Sequence, residues 1–335
     1  MQLNSLSLIA LMSSAAVPAL ADEVNIYSHR QPELIQPLLD AFTAETGITT
    51  NVAFVDKGMS ERLVAEGDRS PADLVLTVDI ARLMQVVDAG VTQSVSSAVL
   101  YANIPAEMRD ANGQWFGLTA RARIVYASKE RVAAGEVTTY EDLADPKWKG
   151  RICTRSGTND YNVALAAAVL AHKGEEFTKT WVQGLKANLA RKPDGGDRDQ
   201  VKAIWAGQCD ISLGNTYYMG QMLQDPEQQA WAGAVNIVFP SFEDGGTHVN
   251  ISGIAMTKSA PNKEAALKLM EWLSGDDAQK IYAETNNEYP VNPHVARSKL
   301  VASWGEFTPD SKSLTEIAAL RPAALKLIEA ADFDN

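Results

Sequence analysis

Short apolar runs rich in β-branched residues alternate along the chain with segments whose apolar residues recur every three to four positions. EVNIYS, from Glu23, predicts a strand, and PELIQPLLDAFTAETG a helix that stops at Gly47. ITTNVAFV predicts a second strand, MSERLVAEG a helix stopped by Gly67, and ADLVLTV a buried third strand. DIARLMQVVDAG follows as a helix with Asp79 as its cap and Gly90 as its stop. Strand, helix, strand, helix, strand implies a parallel sheet with right-handed crossovers. The rhythm resumes after Gly150 with RICTR, an alanine-rich helix from Tyr161 to Lys173, TKTWVQGLKANL, DQVKAIWAGQ and the buried strand CDISLGN.

Two stretches connect these series. QWFGLTARARIVYASK reads as one long strand that leaves one lobe and enters the other, and THVNISGIAMTK as a return crossing. The predicted fold is therefore α/β, with two α/β domains joined by crossing hinge strands. Residues 22–121 plus 246–295 would form the N-terminal lobe, and 122–245 plus 296–335 the C-terminal lobe, closed by a last helix at PAALKLIEAADF. Ligands of open α/β sheets sit at the carboxyl ends of strands and between lobes.

The first residues set the compartment. An apolar core from Leu6 to Val17 runs into Ala19-Leu20-Ala21, a small-x-small cleavage pattern, although no Lys or Arg precedes it. This predicts an export signal over residues 1–21 and a mature, soluble chain outside the cytoplasm that begins at Asp22. A net charge of -12 argues against nucleic acid or an anionic membrane as partner. Any anion bound here must be held by local residues against the global field.

Two cysteines, Cys153 and Cys209, lie eight residues before Tyr161 and Tyr217 respectively. In an exported chain such a pair predicts a disulfide, with two unrelated buried thiols as the alternative. If bridged, strands running the same way from the two sulfurs would deliver Tyr161 and the Tyr217-Tyr218 pair to one neighbourhood. Three converging phenols suggest a metal: phenolate is a hard anionic donor, and only a strongly charged ion displaces a proton of pKa near 10. Ferric iron is such an ion, and three phenolates balance its charge. CTRSGTNDYN, strand to loop to helix, offers an anion seat at a helix N-terminus, with Ser156 as cap and Gly157 allowing close approach. Arg121 or Arg123 would supply the counter-charge. Enzyme motifs are absent, with four histidines in no HExxH pattern and no GxSxG. Two other readings stay open: a receptor for an oxyanion or small organic solute such as sulfate, phosphonate or thiamine, walled by Tyr217 and Tyr218, and a secreted hydrolase using Asp79 or Asp197 with a tyrosine.

NIYSHRQPELI, SPADLVLTVD, the RAR of GLTARARIVY, YEDLADPKWKGRI, SGTNDYN, NTYY and NEYPVNPHV occur in that order. Together they resemble the periplasmic ferric-ion-binding proteins of bacterial ABC iron importers, which have the transferrin-like, two-lobed type II binding-protein fold. The resemblance implies iron ligation by Tyr217 and Tyr218, with Tyr161 as the further ligand of a tyrosine-rich branch. It implies a synergistic anion such as carbonate, seated by Ser156, Gly157 and Thr158 with Arg121, and supported by Asn215. Two positions depart from the family pattern: Gln31 stands where many relatives have histidine, and Val78, followed by Asp79, where some have glutamate. His29, Arg30, Gln31 and Asp79 are then cleft contacts, with Gln31 or Arg30 closing over the anion. The implied partners are ferric ion and an inner-membrane ABC permease, the implied state is a monomer, and no catalysis is implied.

Overall fold

A computed structural model describes residues 22–335, so the expected export signal lies outside the described residues. The chain opens as the apolar pattern predicts. Strands β1 (Glu23–Ser28), β2 (Thr49–Phe54) and β3 (Leu74–Thr77) alternate with helices α1 (Pro32–Thr46), α2 (Met59–Glu66) and α3 (Ile80–Asp88). Both β2 and β3 pair with β1 in parallel. Gly47 closes α1 in the left-handed region at φ 73°, which a side chain would disfavour. A short helix, α4 (Ala98–Asn103), leads to the strand that organises everything else.

That strand is β4 (Phe116–Ser128), buried at all thirteen positions. Its first part pairs antiparallel with β8 (Val249–Met256) and β9 (Tyr289–Pro290). From Arg123 onward it pairs instead with β6 (Ile211–Asn215) and β7 (Val235–Val238). The change of partner falls between Ala122, opposite Val249, and Arg123, opposite Asn215. One strand thus belongs to two sheet halves, and the strand order is β2-β1-β3-β8-β4-β6-β5, with β5 at Ile152–Cys153.

Helices α5 (Asp160–Ala187), α6 (Asp197–Trp205), α7 (Tyr217–Gln224) and α8 (Gln229–Gly233) cover the second half. At Gly174, with a non-helical φ of 77° and ψ of 178°, α5 breaks into two helical segments, the first ending where the alanine-rich run predicts. Helices α9 (Lys263–Ser274), α10 (Asp276–Thr285), α11 (Lys299–Ala302) and α12 (Leu314–Ala330) complete the chain. Each half has its own core: Ile26, Leu38, Phe42, Leu269 and Tyr282 in the first, and Trp148, Val169, Trp181 and Leu213 in the second. The final stretch is shared. Val301, Leu314 and Ala318 pack with the first half, while Ile317, Ala324, Ile328 and Phe333 pack with the second.

Cys153 and Cys209 form a disulfide with Cα atoms 5.9 Å apart, beside the parallel pairing of β5 with β6. Replacing both cysteines with serine is expected to lower unfolding stability by about 2–4 kcal/mol, because the 56-residue separation is then unconstrained in the unfolded chain. Urea unfolding of the two forms under non-reducing conditions measures the difference.

Candidate functional site

Two strand-to-helix junctions lie abreast on the second half. β5 leads through residues 154–159 into α5, and β6 turns directly into α7. Because β5 and β6 run parallel with Cys153 opposite Ser212, both chains reach their helices at the same end of the sheet. Tyr161 occupies the first turn of α5, and Tyr217 and Tyr218 the first turn of α7. Neighbours on a helix are about 100° apart, so two adjacent phenols can share one side only at such a junction. The rings of Tyr217 and Tyr218 lie 4.3 Å apart, and the Tyr161 and Tyr217 hydroxyls 3.2 Å apart.

These three side chains line a cleft of about 380 Å³ between the sheet halves. The first half contributes His29, Arg30, Gln31, Asp79, Arg82 and Arg121 to its walls. Burial, then the neighbouring Tyr161 and Tyr218 phenols, pushes the Tyr217 hydroxyl well above its ordinary value. Burial and then Tyr161 also raise Tyr218. Burial and then Arg82 push His29 down to about 4, so it is neutral at physiological pH.

Positive charge gathers around Tyr161. The guanidinium carbons of Arg155, Arg123 and Arg121 stand 5.3, 5.8 and 6.0 Å from its ring centre. Arg123 is committed to a buried ion pair with Asp197 at 2.7 Å, and Arg155 touches the same carboxylate at 3.3 Å. Arg121 differs. It donates to the Val78 carbonyl and, at 3.5 Å, to Ser252 Oγ, and has no carboxylate partner among the described residues. Arg30 is paired with Glu288 at 2.6 Å. Gln31 precedes α1 without using its side chain as a cap, which leaves its amide free toward the cleft.

The Ser156 loop is placed otherwise than the sequence pattern suggests. α5 is capped by Asn159, whose Oδ1 accepts from the Tyr161 N–H at 3.1 Å, so Ser156 is not the cap. The loop does hold an anion, but an internal one: Ser156 Oγ and the Gly157 N–H, the latter at 2.6 Å, both donate to the Asp334 carboxylate. A Cβ on Gly157 would lie 2.5 Å from the Phe333 ring, so the close approach this glycine permits is to the chain's own end. Ser156, Gly157 and Thr158 do not line the cleft. Neither does Asn215, which is buried with its Oδ1 accepting from Arg123 at 3.2 Å and its N–H donating to Asp197 at 3.0 Å.

Asp79 and Asp197 are structural acceptors. Asp79 caps α3 through the Ala81 and Arg82 N–H groups and accepts from Asn250 at 2.6 Å. Asp197 serves Arg123, Arg155 and Asn215, so both carboxylates have both oxygens engaged.

The profile of the bacterial extracellular solute-binding proteins matches residues 38–309. The chain belongs to that family. Iron uptake protein A1 of Synechocystis is 45% identical over 321 residues, spanning 94% of this chain and 89% of that protein. Among solved structures, the apo ferric ion-binding protein A of Pasteurella haemolytica superposes with a TM-score of 0.90 at 54% identity, over 94% of this chain and 99% of that one. A Trichodesmium protein in complex with iron and citrate gives 0.88 at 41% identity, over 93% and 99%. The architecture is the two-lobed type II solute-binding fold. No helix among the described residues is long and apolar enough to cross a membrane.

For this solute-binding protein, sequence reasoning passed over Arg82, Arg155, Asp160 and Gln221, all of which line the cleft. Gln221 was within reach, since it follows Tyr217 by four positions and so shares its face of α7. Arg155 and Arg82 depend on chain crossings that no local spacing records. Asp197→Ala is expected to cost about 3–5 kcal/mol in chemical denaturation, because it strands the buried Arg123 guanidinium.

Proposed function

We propose that the protein is a periplasmic receptor that captures Fe(III) between its lobes and delivers it to an inner-membrane ABC permease. Tyr161, Tyr217 and Tyr218 ligate the ion as phenolates, together with a small synergistic anion such as carbonate. The observation that carries this reading is the meeting of the three phenols in the cleft, with the Tyr161 and Tyr217 hydroxyls 3.2 Å apart. Burial makes bare phenolates costly in such a cluster, so only a strongly charged cation, such as a trivalent ion, displaces their protons. It agrees with the iron and ferric ion for which the similar proteins above are named.

Three phenolates cancel the charge of the ion, so the anion needs a cation of its own. Arg121 is that cation in this reading, since Arg123 and Arg30 already have carboxylates. Gln31 closes over the anion from the first lobe in preference to Arg30. The lobes, 22–121 plus 246–295 and 122–245 plus 296–335, turn about β4 and β8. The ion holds them closed by its differential affinity for that state.

Adding ferric iron with bicarbonate to the apo protein is expected to produce a strong visible phenolate-to-iron band. Tyr161→Phe should shift that band and weaken binding by more than about a hundredfold, beyond the usual cost of losing an outer-shell partner of a metal site. A colourless wild-type protein would give the cleft to an oxyanion or organic solute instead.

Protons compete for the same oxygens, and burial favours their retention on Tyr217 and Tyr218. Ferric affinity should therefore fall with pH, by roughly tenfold per pH unit for each phenol proton displaced, as read in a chelator-competition titration.

A further inference from the structure

Asp160 stands immediately before Tyr161 in the first turn of α5, and two arginines from distant parts of the chain converge on its carboxylate. Arg82, on α3 of the first half, reaches Oδ2 with Nε at 3.2 Å and Nη2 at 3.0 Å. Arg321, on α12, reaches Oδ1 with Nη2 at 2.7 Å. Its Nη1 donates to the Asp160 carbonyl at 3.1 Å and to Asp79 Oδ1 at 3.3 Å. Asp79 is itself tied to Asn250 of the crossing strand β8. A line of charge therefore runs from the hinge to the start of the helix that carries Tyr161, and Arg82 meets it across the cleft.

The two arms of this cluster differ in exposure. Arg321 and Asp79 are 13% and 1% exposed and form the more enclosed arm. Arg82 and Asp160 are 24% and 34% exposed. That pair can part into water without leaving a buried charge alone, which is what a reversible contact requires. Burial pushes the Asp160 carboxyl up, but Arg321 and Arg82 outweigh it and hold the group below its ordinary value.

We infer that Arg82 and Arg321 grip Asp160 as a latch, which holds the cleft shut and fixes the first turn of α5, and with it Tyr161, against α3. These are positioning residues that act through Asp160. The inference rests on the ferric reading only for the identity of the ligand, because the latch itself joins protein to protein.

The metal-free full-length protein provides the first test. In small-angle X-ray scattering at low salt, Arg82→Gln is expected to increase the radius of gyration over wild type, and added salt should move the wild type the same way. Ferric-loaded protein provides the second. Release to excess chelator should be about tenfold faster in Arg82→Gln, with the absorbance maximum unchanged, and intermediate in Arg82→Lys, which keeps the charge but loses the planar fork. A merely structural role would lower the melting temperature and leave scattering and release as in wild type. That result would overturn the latch. Scattering is read without iron, so a wild type that takes up no iron would end the ferric reading while the latch was still decided by the apo measurement.

Discussion

The site depends on one pairing: β5 and β6 side by side and parallel, fastened by the Cys153–Cys209 bridge. Parallel neighbours end at the same edge of a sheet, so the helices that follow them begin there together. That places the first turns of α5 and α7 in contact distance and brings phenols 56 residues apart in sequence within 3.2 Å of each other. A register slip by one residue would turn every side chain of β6 to the opposite face and carry the tyrosine pair with it. The bridge and the buried Arg123–Asp197–Asn215 network, which ties β4, α6 and β6, guard against that slip.

Charge supplies the second constraint. The whole chain is acidic, at -12, yet three guanidinium groups stand within 6.0 Å of the Tyr161 ring. Two of them are anchored on Asp197, which holds them in place while reducing their field. Arg121 keeps its charge uncompensated by carboxylate, at 3% exposure, a costly arrangement that an anionic ligand would relieve. Against a negative long-range field, the positive charge beside Tyr161 that lacks a carboxylate partner among the described residues is thus that of Arg121.

Much of this was legible in the sequence. The βαβαβ opening, the long β4 and its return partner follow from apolar periodicity and glycine stops, and the equal eight-residue spacing from each cysteine to a tyrosine pointed to the meeting of Tyr161 with Tyr217. The Ser156 loop misled because two residue types compete for the same duty: Ser156 and Asn159 are both good caps, and the choice was made by Asp334, 178 residues away. Arg123 and Asn215 looked like ligand contacts for a similar reason. Polar residues at strand ends serve a cleft or a buried network equally well, and only the partner, here Asp197, distinguishes the two. Gly174 shows local punctuation at work, since its left-handed φ stops the alanine-rich helix after Lys173 and a second helical segment starts beyond it.

β4 has four strand partners, two in each half of the sheet. Neither half can be excised as a module, because a cut anywhere in that strand unpairs an interior edge on both sides of it. Recombination of whole lobes between relatives is therefore a poor route to new ligands in this architecture. Diversity has to enter where strands give way to helices, in the few residues that a continuous hydrogen-bonded ribbon leaves free to vary.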